Sequence, residues 1–138
     1  MRIILDTNIV VSFAILAHSR LGQIVNRIIE QHTVLYSEAT FAELARTLSR
    51  PKLARYLDAQ DIELFLRRYE GQGERVQVAQ DIRASRDPDD DKFLALALDG
   101  HADCILTGDA DLLALHPFRD VEILTVEAFA ARYSPETA

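Results

Sequence analysis

Two short runs of apolar residues, at positions 3–5 and 104–106, constrain the fold more than any other feature of the sequence. Neither run alternates with polar residues, so each predicts a strand that is buried on both faces, as in a parallel sheet. Asp6 directly follows the first run, and Asp109 lies in a turn just after the second. Because ligands bind open α/β sheets beyond the carboxyl ends of the strands, the two acids are expected at a functional edge.

Helical and extended patterns alternate along the rest of the chain. Residues 9–16 are apolar all round and predict a buried helix, whereas residues 21–29 have the single apolar stripe of an amphipathic helix. Similar patterns predict strands at 33–36, 75–79 and 121–126, and helices at 41–48, 52–70 and 93–98. This order predicts one α/β domain over residues 1–138, with a mainly parallel central sheet and helices on both faces.

The charge of the chain restricts its partners. The formal net charge is −7, whereas proteins that hold nucleic acids by their phosphates are usually basic. A polyanionic substrate would therefore require bound divalent cations; alternatively, the acidity serves a basic protein partner. The single cysteine, Cys104, lies in an apolar run and predicts a buried thiol in a reducing cytoplasm. No run approaches the roughly 18–20 apolar residues of a membrane span, so no membrane partner is expected.

Further acids lie close to these two in sequence. Asp111 follows Asp109 by two residues, and the segment 87–91 contains Asp87, Asp89, Asp90 and Asp91. Four carboxylates within five residues repel one another, and a cation relieves that repulsion. By helical wheel, Asp90 and Asp91 both point along apolar faces of the following helix, so either could project into a covered cleft.

Carboxylates in this arrangement favour metal-assisted hydrolysis. Mg²⁺ and Mn²⁺ prefer oxygen ligands, and a few aspartates suffice to hold them. Two such ions, about 3.5–4 Å apart, can stabilise the attacking and leaving oxygens of a phosphodiester. The four histidines lack metal-ligand spacing, and the sequence contains neither a phosphate-binding glycine loop nor a recognisable serine nucleophile motif.

Four segments add a more specific signal. They are Leu5-Asp6-Thr7-Asn8, Phe41-Ala42-Glu43-Leu44, Asp91-Lys92-Phe93-Leu94-Ala95-Leu96-Ala97 and Leu106-Thr107-Gly108-Asp109-Ala110-Asp111. In this order, and over nearly the whole chain, they make the sequence resemble the PIN-domain family, which includes the bacterial ribonuclease toxins of VapC type. The interval of eighteen residues between Asp91 and Asp109 is also typical of that family.

The resemblance implies a metal-dependent ribonuclease that acts as the toxin of a toxin–antitoxin pair, with RNA as substrate, an antitoxin protein as partner and a homodimer as its assembly. The catalytic acids that it implies, all of them metal ligands, are Asp6, Glu43, Asp91 and Asp109. Further candidate metal ligands are Asp90 and Asp111, and the residues expected to support the site by hydrogen bonding are Asn8 and Thr107. The spacing favours Asp91 nearer the metal with Asp90 in support, whereas a toxin subgroup of PIN proteins favours Asp90.

Glu43 depends most on the resemblance. Its helical position alone places it opposite the apolar stripe, on a solvated face where it would pair with Arg46. Given the resemblance, this face becomes the wall of a cleft, and Arg46, Arg50 and Lys52 become candidate contacts for substrate phosphates.

Two other functions stay open. One is a phosphatase with Asp6 as nucleophile, as in the haloacid dehalogenase family, although that family has a second aspartate where this chain has Asn8. The other is a non-catalytic PIN-like module that binds RNA or protein, against which the repulsion among the retained acids argues. Metal binding together with an RNA cleavage assay separates these functions.

Overall fold

A five-stranded parallel sheet forms the centre of the computed structural model, which describes residues 1–133. The strands are β1 (Arg2–Leu5), β2 (Thr33–Tyr36), β3 (Glu74–Arg75), β4 (Cys104–Leu106) and β5 (Glu122–Leu124). They are arranged in the order β3-β2-β1-β4-β5, and each pair of neighbours is parallel. The parallel sheet expected from the unbroken apolar runs is thus confirmed, with those two runs as adjacent inner strands.

Each inner strand contributes to two separate cores because successive side chains of a strand point to opposite faces of the sheet. In β1, Ile3 and Leu5 face one core, whereas Ile4 faces the other. In β4, Cys104 and Leu106 belong to the first core and Ile105 to the second. This division explains why the strands need apolar residues at every position.

Within the described residues, seven helices cover the two faces of the sheet. They are α1 (Thr7–Ile15), α2 (Arg20–Gln31), α3 (Glu38–Leu48), α4 (Ala59–Gln72), α5 (Asp91–Asp99), α6 (Ala110–Leu113) and α7 (Val126–Arg132). Helices α1 to α4 and α7 pack on the first core, and α5 and α6 pack on the second, so the three-layer α/β/α prediction is confirmed. Within residues 1–133, no single helix is long and apolar enough to cross a membrane, although α1 and α2, bent by 113° at the break between them, would together have the length and composition.

The strand predicted at 75–79 is much shorter than expected. The strand comprises only Glu74–Arg75, and residues 76–80 follow it without regular structure, although the Val76 amide still donates to the Tyr36 carbonyl oxygen at 2.8 Å. The alternation of Val76 and Val78 has a different origin, because both side chains pack on the second core. The Asp99 carboxylate fixes this segment by accepting hydrogen bonds from the backbone amides of Ala79 and Gln80, at 2.6 and 3.2 Å.

Helix α1 corrects a second expectation. Its apolar sequence predicted a helix buried on all sides, yet only Thr7 and Val10 are buried within it. The other apolar side chains of α1 are half-buried, and Leu16, just beyond the helix, is 57% exposed. The composition of a segment cannot reveal whether a second layer of protein covers its outer side.

The prediction that Cys104 is a core residue is confirmed. The side chain is fully buried in β4, and burial raises the pKa of its thiol to about 12. At neutral pH the thiol is therefore protonated and inaccessible, so Cys104 is a small apolar packing residue.

Leu112 is fully buried in the second core, three residues after Asp109. It provides a test of the packing in that core. Replacement by alanine leaves a cavity that the surrounding side chains fill only in part. We expect Leu112→Ala to lower the free energy of unfolding by about 2–5 kcal/mol in urea titrations. The matched control is Leu64→Ala on a side chain that is 51% exposed, for which a change within about 0.5 kcal/mol is expected. Equal losses in the two variants would contradict the assignment of the core.

Candidate metal centre

The site lies where β1 and β4 end side by side. The chain runs outward from β1 through β2 to β3, and then returns to β4 on the other side of β1, so the connections diverge between these two strands. Leu5 pairs with Leu106, and the Asp6 amide donates to the Leu106 carbonyl oxygen at 2.9 Å. Such a topological switch point opens a crevice at the carboxyl edge of the sheet, which is the usual place for a ligand.

Thr107 joins the acids of the two strands. Its hydroxyl donates to Oδ2 of Asp6 at 2.7 Å and accepts a hydrogen bond from the Asp109 amide at 3.0 Å. The threonine is fully buried, and Asp6 is only 7% exposed. One hydroxyl therefore fixes the carboxylate of Asp6 and the backbone that bears Asp109.

Three carboxylates converge beside Asp6. Asp109 caps α6 by accepting from the Leu112 amide at 3.2 Å, and Asp111 lies in the first turn of that helix. Asp90 approaches from the 3-10 turn Pro88–Asp90 that precedes α5. One carboxylate oxygen from each of Asp90, Asp109 and Asp111 lies within 4.8 Å of the others.

Asp90 and Asp91 have separate roles. Asp90 belongs to the group of three carboxylates, whereas Asp91 Oδ1 accepts hydrogen bonds from the backbone amides of Ala84 and Ser85, at 3.1 and 2.8 Å. The Asp91 carboxylate thus anchors the loop before the acid run. The eighteen-residue spacing favours Asp91 as the acid nearer a metal, and that preference stays a prediction.

Glu43 lies on the opposite wall, in α3, and both of its carboxylate oxygens have partners. Oε2 accepts a short hydrogen bond from the Thr7 hydroxyl, and Oε1 lies 2.7 Å from the Lys92 ammonium. The pairing with Arg46 that the helical wheel favours does not occur; Arg46 is exposed. Lys92 approaches across the cleft from α5 instead.

The remaining candidates lie outside the group of three carboxylates. Asn8, Arg46, Arg50 and Lys52 are exposed, and no hydrogen bond from the Asn8 side chain is found within residues 1–133. Thr107 therefore has the hydrogen-bonding position that was expected of it, whereas Asn8 has no comparable contact. Asp87 caps the 3-10 turn by accepting from the Asp89 amide at 3.0 Å.

A family model for the PIN domain matches residues 2–111. The chain belongs to the PIN-domain family. It is 30% identical over 116 residues to the uncharacterized protein MJ1680 of Methanocaldococcus jannaschii, a match that spans 83% of this chain and 74% of the relative. Its fold is similar to a chain of the crystal structure of VapBC2 from Rickettsia felis bound to a DNA fragment from their promoter, with a TM-score of 0.61 and 15% identity over 89% of this chain and 98% of that one.

The carboxylates of this PIN domain perturb one another. Burial, together with a hydrogen bond and repulsion from Asp109, raises the pKa of Asp90 from 3.8 to about 7. Burial also raises the pKa of Asp6, against the opposing effect of the Thr107 hydrogen bond, and the charges of Glu43 and Asp109 add to the rise. Without a cation, the centre therefore holds a proton that carboxylates in water would release.

These observations fit a hard divalent cation. The three clustered side chains offer carboxylate oxygens alone, the donors that Mg²⁺ and Mn²⁺ prefer. A cation also relieves the repulsion that raises the pKa of Asp90. The group comprises Asp90, Asp109 and Asp111, with Asp6 beside it on the switch-point strand.

Sequence patterns gave no role to three residues that organise this PIN domain. Thr7 stands inside a matching segment without an assigned function, yet its side chain contacts Glu43. Lys92 stood inside a matching segment without an assigned function, and it binds Glu43. Ser85 contacts two acids of the run: its hydroxyl donates to Asp90 at 3.5 Å, and its amide donates to Asp91. Only the position of Thr7 and Lys92 next to acids of the site could have indicated their importance.

The raised pKa of Asp90 predicts a pH-dependent loss of stability in the metal-free PIN domain. The folded protein keeps the Asp90 proton up to about pH 7, whereas the unfolded chain releases it near 3.8, so stability falls between these values as pH rises. Asp90→Asn removes this penalty. With chelator present, we expect the free energy of unfolding of the variant to exceed that of wild type by about 1–2 kcal/mol at pH 8 and by much less near pH 4. The figure is reduced for the partial solvent exposure of Asp90.

The measurement is urea unfolding of both proteins at the two pH values and at constant ionic strength. Asp89→Asn changes an exposed acid one residue earlier and is the matched control. Its difference from wild type in the free energy of unfolding should be the same at pH 4 and pH 8. An advantage of Asp90→Asn that is equal at both pH values would refute the electrostatic origin.

Proposed function

We propose that this PIN domain is a divalent-metal-dependent endoribonuclease and the toxin component of a toxin–antitoxin system. The observation that carries the proposal is the convergence of Asp90, Asp109 and Asp111 within 4.8 Å, beside the buried Asp6, at the switch point of the sheet. Family membership supports the nuclease chemistry, because PIN domains are typically nucleases. The cation would be Mg²⁺ or Mn²⁺, and the compartment the cytoplasm, where RNA is present.

Each acid has a distinct task in the proposed reaction. When bound, the divalent cation supplies a Lewis acid that stabilises charge on the scissile phosphate and makes water a better nucleophile. Asp90, Asp109 and Asp111 hold it, and Asp6 supplies a further carboxylate oxygen. Thr107 keeps Asp6 and Asp109 in register through its single hydroxyl. Because both strand ends are fixed by buried main-chain pairing, the acids need little reorganisation before reaction.

The exposed arginines on the α3 side are proposed to bind the RNA backbone. Glu43 and Arg46 are three residues apart in α3 and so share one side of that helix, and Arg50 follows two residues after its C-terminal end. This places positive charge near the carboxylates, although the chain as a whole has a net charge of −7. A local basic strip allows an acidic protein to hold a polyanion.

The partners proposed are a protein antitoxin and a second copy of the chain. The Rickettsia felis chain with a similar fold is part of a VapBC complex, which supports an antitoxin. A basic segment of an antitoxin would complement the acidic centre, since an arginine or lysine can neutralise clustered carboxylates. The homodimer is proposed from the resemblance to the VapC-type members of the PIN-domain family.

No observation favours the other two functions. An aspartate-nucleophile phosphatase would need a second acid at position 8, where an exposed asparagine stands. A purely binding module has no need for a group of carboxylates in which burial and the neighbouring Asp109 raise the pKa of Asp90 to about 7. Both functions are nevertheless distinguished by the assay that follows.

The catalytic prediction concerns the acids of the centre. Asp109→Asn or Asp6→Asn should abolish Mn²⁺-dependent cleavage of single-stranded RNA, with the proteins still folded by circular dichroism. Thr107→Val, which removes only the supporting hydroxyl, should reduce activity about 10–100-fold. Wild type should lose activity with chelator and regain it with Mn²⁺.

Asp89→Asn and Asp87→Asn are the matched controls, because both acids lie in the same run but outside the carboxylate group. They should retain most activity. Full cleavage by folded Asp109→Asn would reject the mechanism, and RNA binding without cleavage by wild type would favour the binding module.

A second prediction concerns the arginines. If Arg46 and Arg50 each neutralise one phosphate, the double change to alanine should weaken binding to single-stranded RNA and reduce the slope of log affinity against log salt by about 1.4. Binding would be measured with catalytically inactive Asp109→Asn as background. The control pair is Arg67→Ala and Arg68→Ala in α4, also exposed, which should leave the slope unchanged.

A further inference from the structure

Lys92 brings a positive charge into direct contact with Glu43, an acid of the site. Its ammonium lies 2.7 Å from Glu43 Oε1 and also donates to the Asp89 carbonyl oxygen at 2.6 Å. The two side chains are only 19% and 22% exposed. A largely desolvated ion pair of this kind holds its geometry more firmly than an exposed one.

Each carboxylate oxygen of Glu43 is therefore already bound by a residue of the chain itself. Lys92 occupies Oε1 and the Thr7 hydroxyl occupies Oε2. The Glu43 backbone is also fixed, because its carbonyl oxygen accepts from the Thr47 hydroxyl at 2.8 Å. An incoming cation would have to compete with an ammonium that already neutralises this carboxylate.

The other acids are distributed unevenly around this pair. The three that could hold an ion together, Asp90, Asp109 and Asp111, do not include Glu43. Asp91 directs its carboxylate to the amides of Ala84 and Ser85 and is not part of that group either. On the Glu43 side, the described residues thus offer a lysine where a second cation would otherwise be needed.

We propose that Lys92 takes the place of a second metal ion, so that the centre binds one divalent cation at Asp90, Asp109 and Asp111 while the ammonium acts on the Glu43 side. An ammonium has three N–H donors, and two are used by Glu43 and Asp89. The third is available to an oxygen of the scissile phosphate, which lysine binds as a compact positive charge. The inference rests on the proposed nuclease function and specifies how its charge is arranged.

Counting the bound metal tests this arrangement without reference to activity. Titration of the metal-free full-length protein with Mn²⁺, followed by isothermal calorimetry and by electron paramagnetic resonance of free Mn²⁺, should give one ion per wild-type chain. Lys92→Met removes the ammonium and frees Glu43, so it should bind a second ion. Adding Glu43→Gln to Lys92→Met should return the count to one.

The chain contains only one other lysine, Lys52, which is exposed and serves as the matched control. Lys52→Met should bind one ion, as should Lys92→Arg, which keeps the charge. If Lys92→Met does not fold, Lys92→Gln provides the same test with a polar side chain.

The outcomes separate the two levels of the proposal. Two ions in wild type, or one ion in both folded Lys92→Met and Lys92→Gln, would overturn the role of Lys92 and leave the nuclease proposal standing. No Mn²⁺ bound by wild type would overturn the nuclease proposal, and the inference with it.

Discussion

The parallel pairing of β1 with β4 is the constraint on which the rest of the site depends. These strands are far apart in sequence, yet Leu5 pairs with Leu106, and the ladder continues through the Asp6 amide. Thr107 then extends the connection from main chain to side chain by bonding both Asp6 and the backbone of Asp109. Because both strands are buried on both faces, a shift of either one would expose apolar side chains. The packing of the sheet therefore fixes the separation of the acids.

Electrostatic repulsion is the cost of this arrangement, and the fold distributes it between two walls. On one wall, burial, together with a hydrogen bond and repulsion from Asp109, raises the pKa of Asp90 to about 7. On the other wall, the Lys92 ammonium and the Thr7 hydroxyl bind the Glu43 carboxylate. Among the described residues, the group of Asp90, Asp109 and Asp111 is thus left in need of a cation, whereas Glu43 is already neutralised by Lys92. This asymmetry is the basis of the role inferred for Lys92.

The segment before α5 determines which acids of the run face the centre. Asp91 anchors the preceding loop through the amides of Ala84 and Ser85, and this contact turns Asp90 toward Asp109. Asp87 stabilises the 3-10 turn Pro88–Asp90 by capping it. Three of the four aspartates in the segment 87–91 thus have different tasks: Asp87 caps the turn, Asp91 anchors a loop and Asp90 joins the carboxylate group.

The sequence alone determined the parallel sheet, its division into two cores and the meeting of Asp6 with Asp109, because unbroken apolar strands have few ways to be buried and their ends are then fixed. It also indicated the family, through four segments in a fixed order. Tertiary structure decided the partner of Glu43, the separate orientations of Asp90 and Asp91, the short β3 and the partial exposure of α1. Each of these depends on what a second element, distant in sequence, places opposite a side chain. Periodicity describes which face a residue lies on, whereas only packing determines what that face meets.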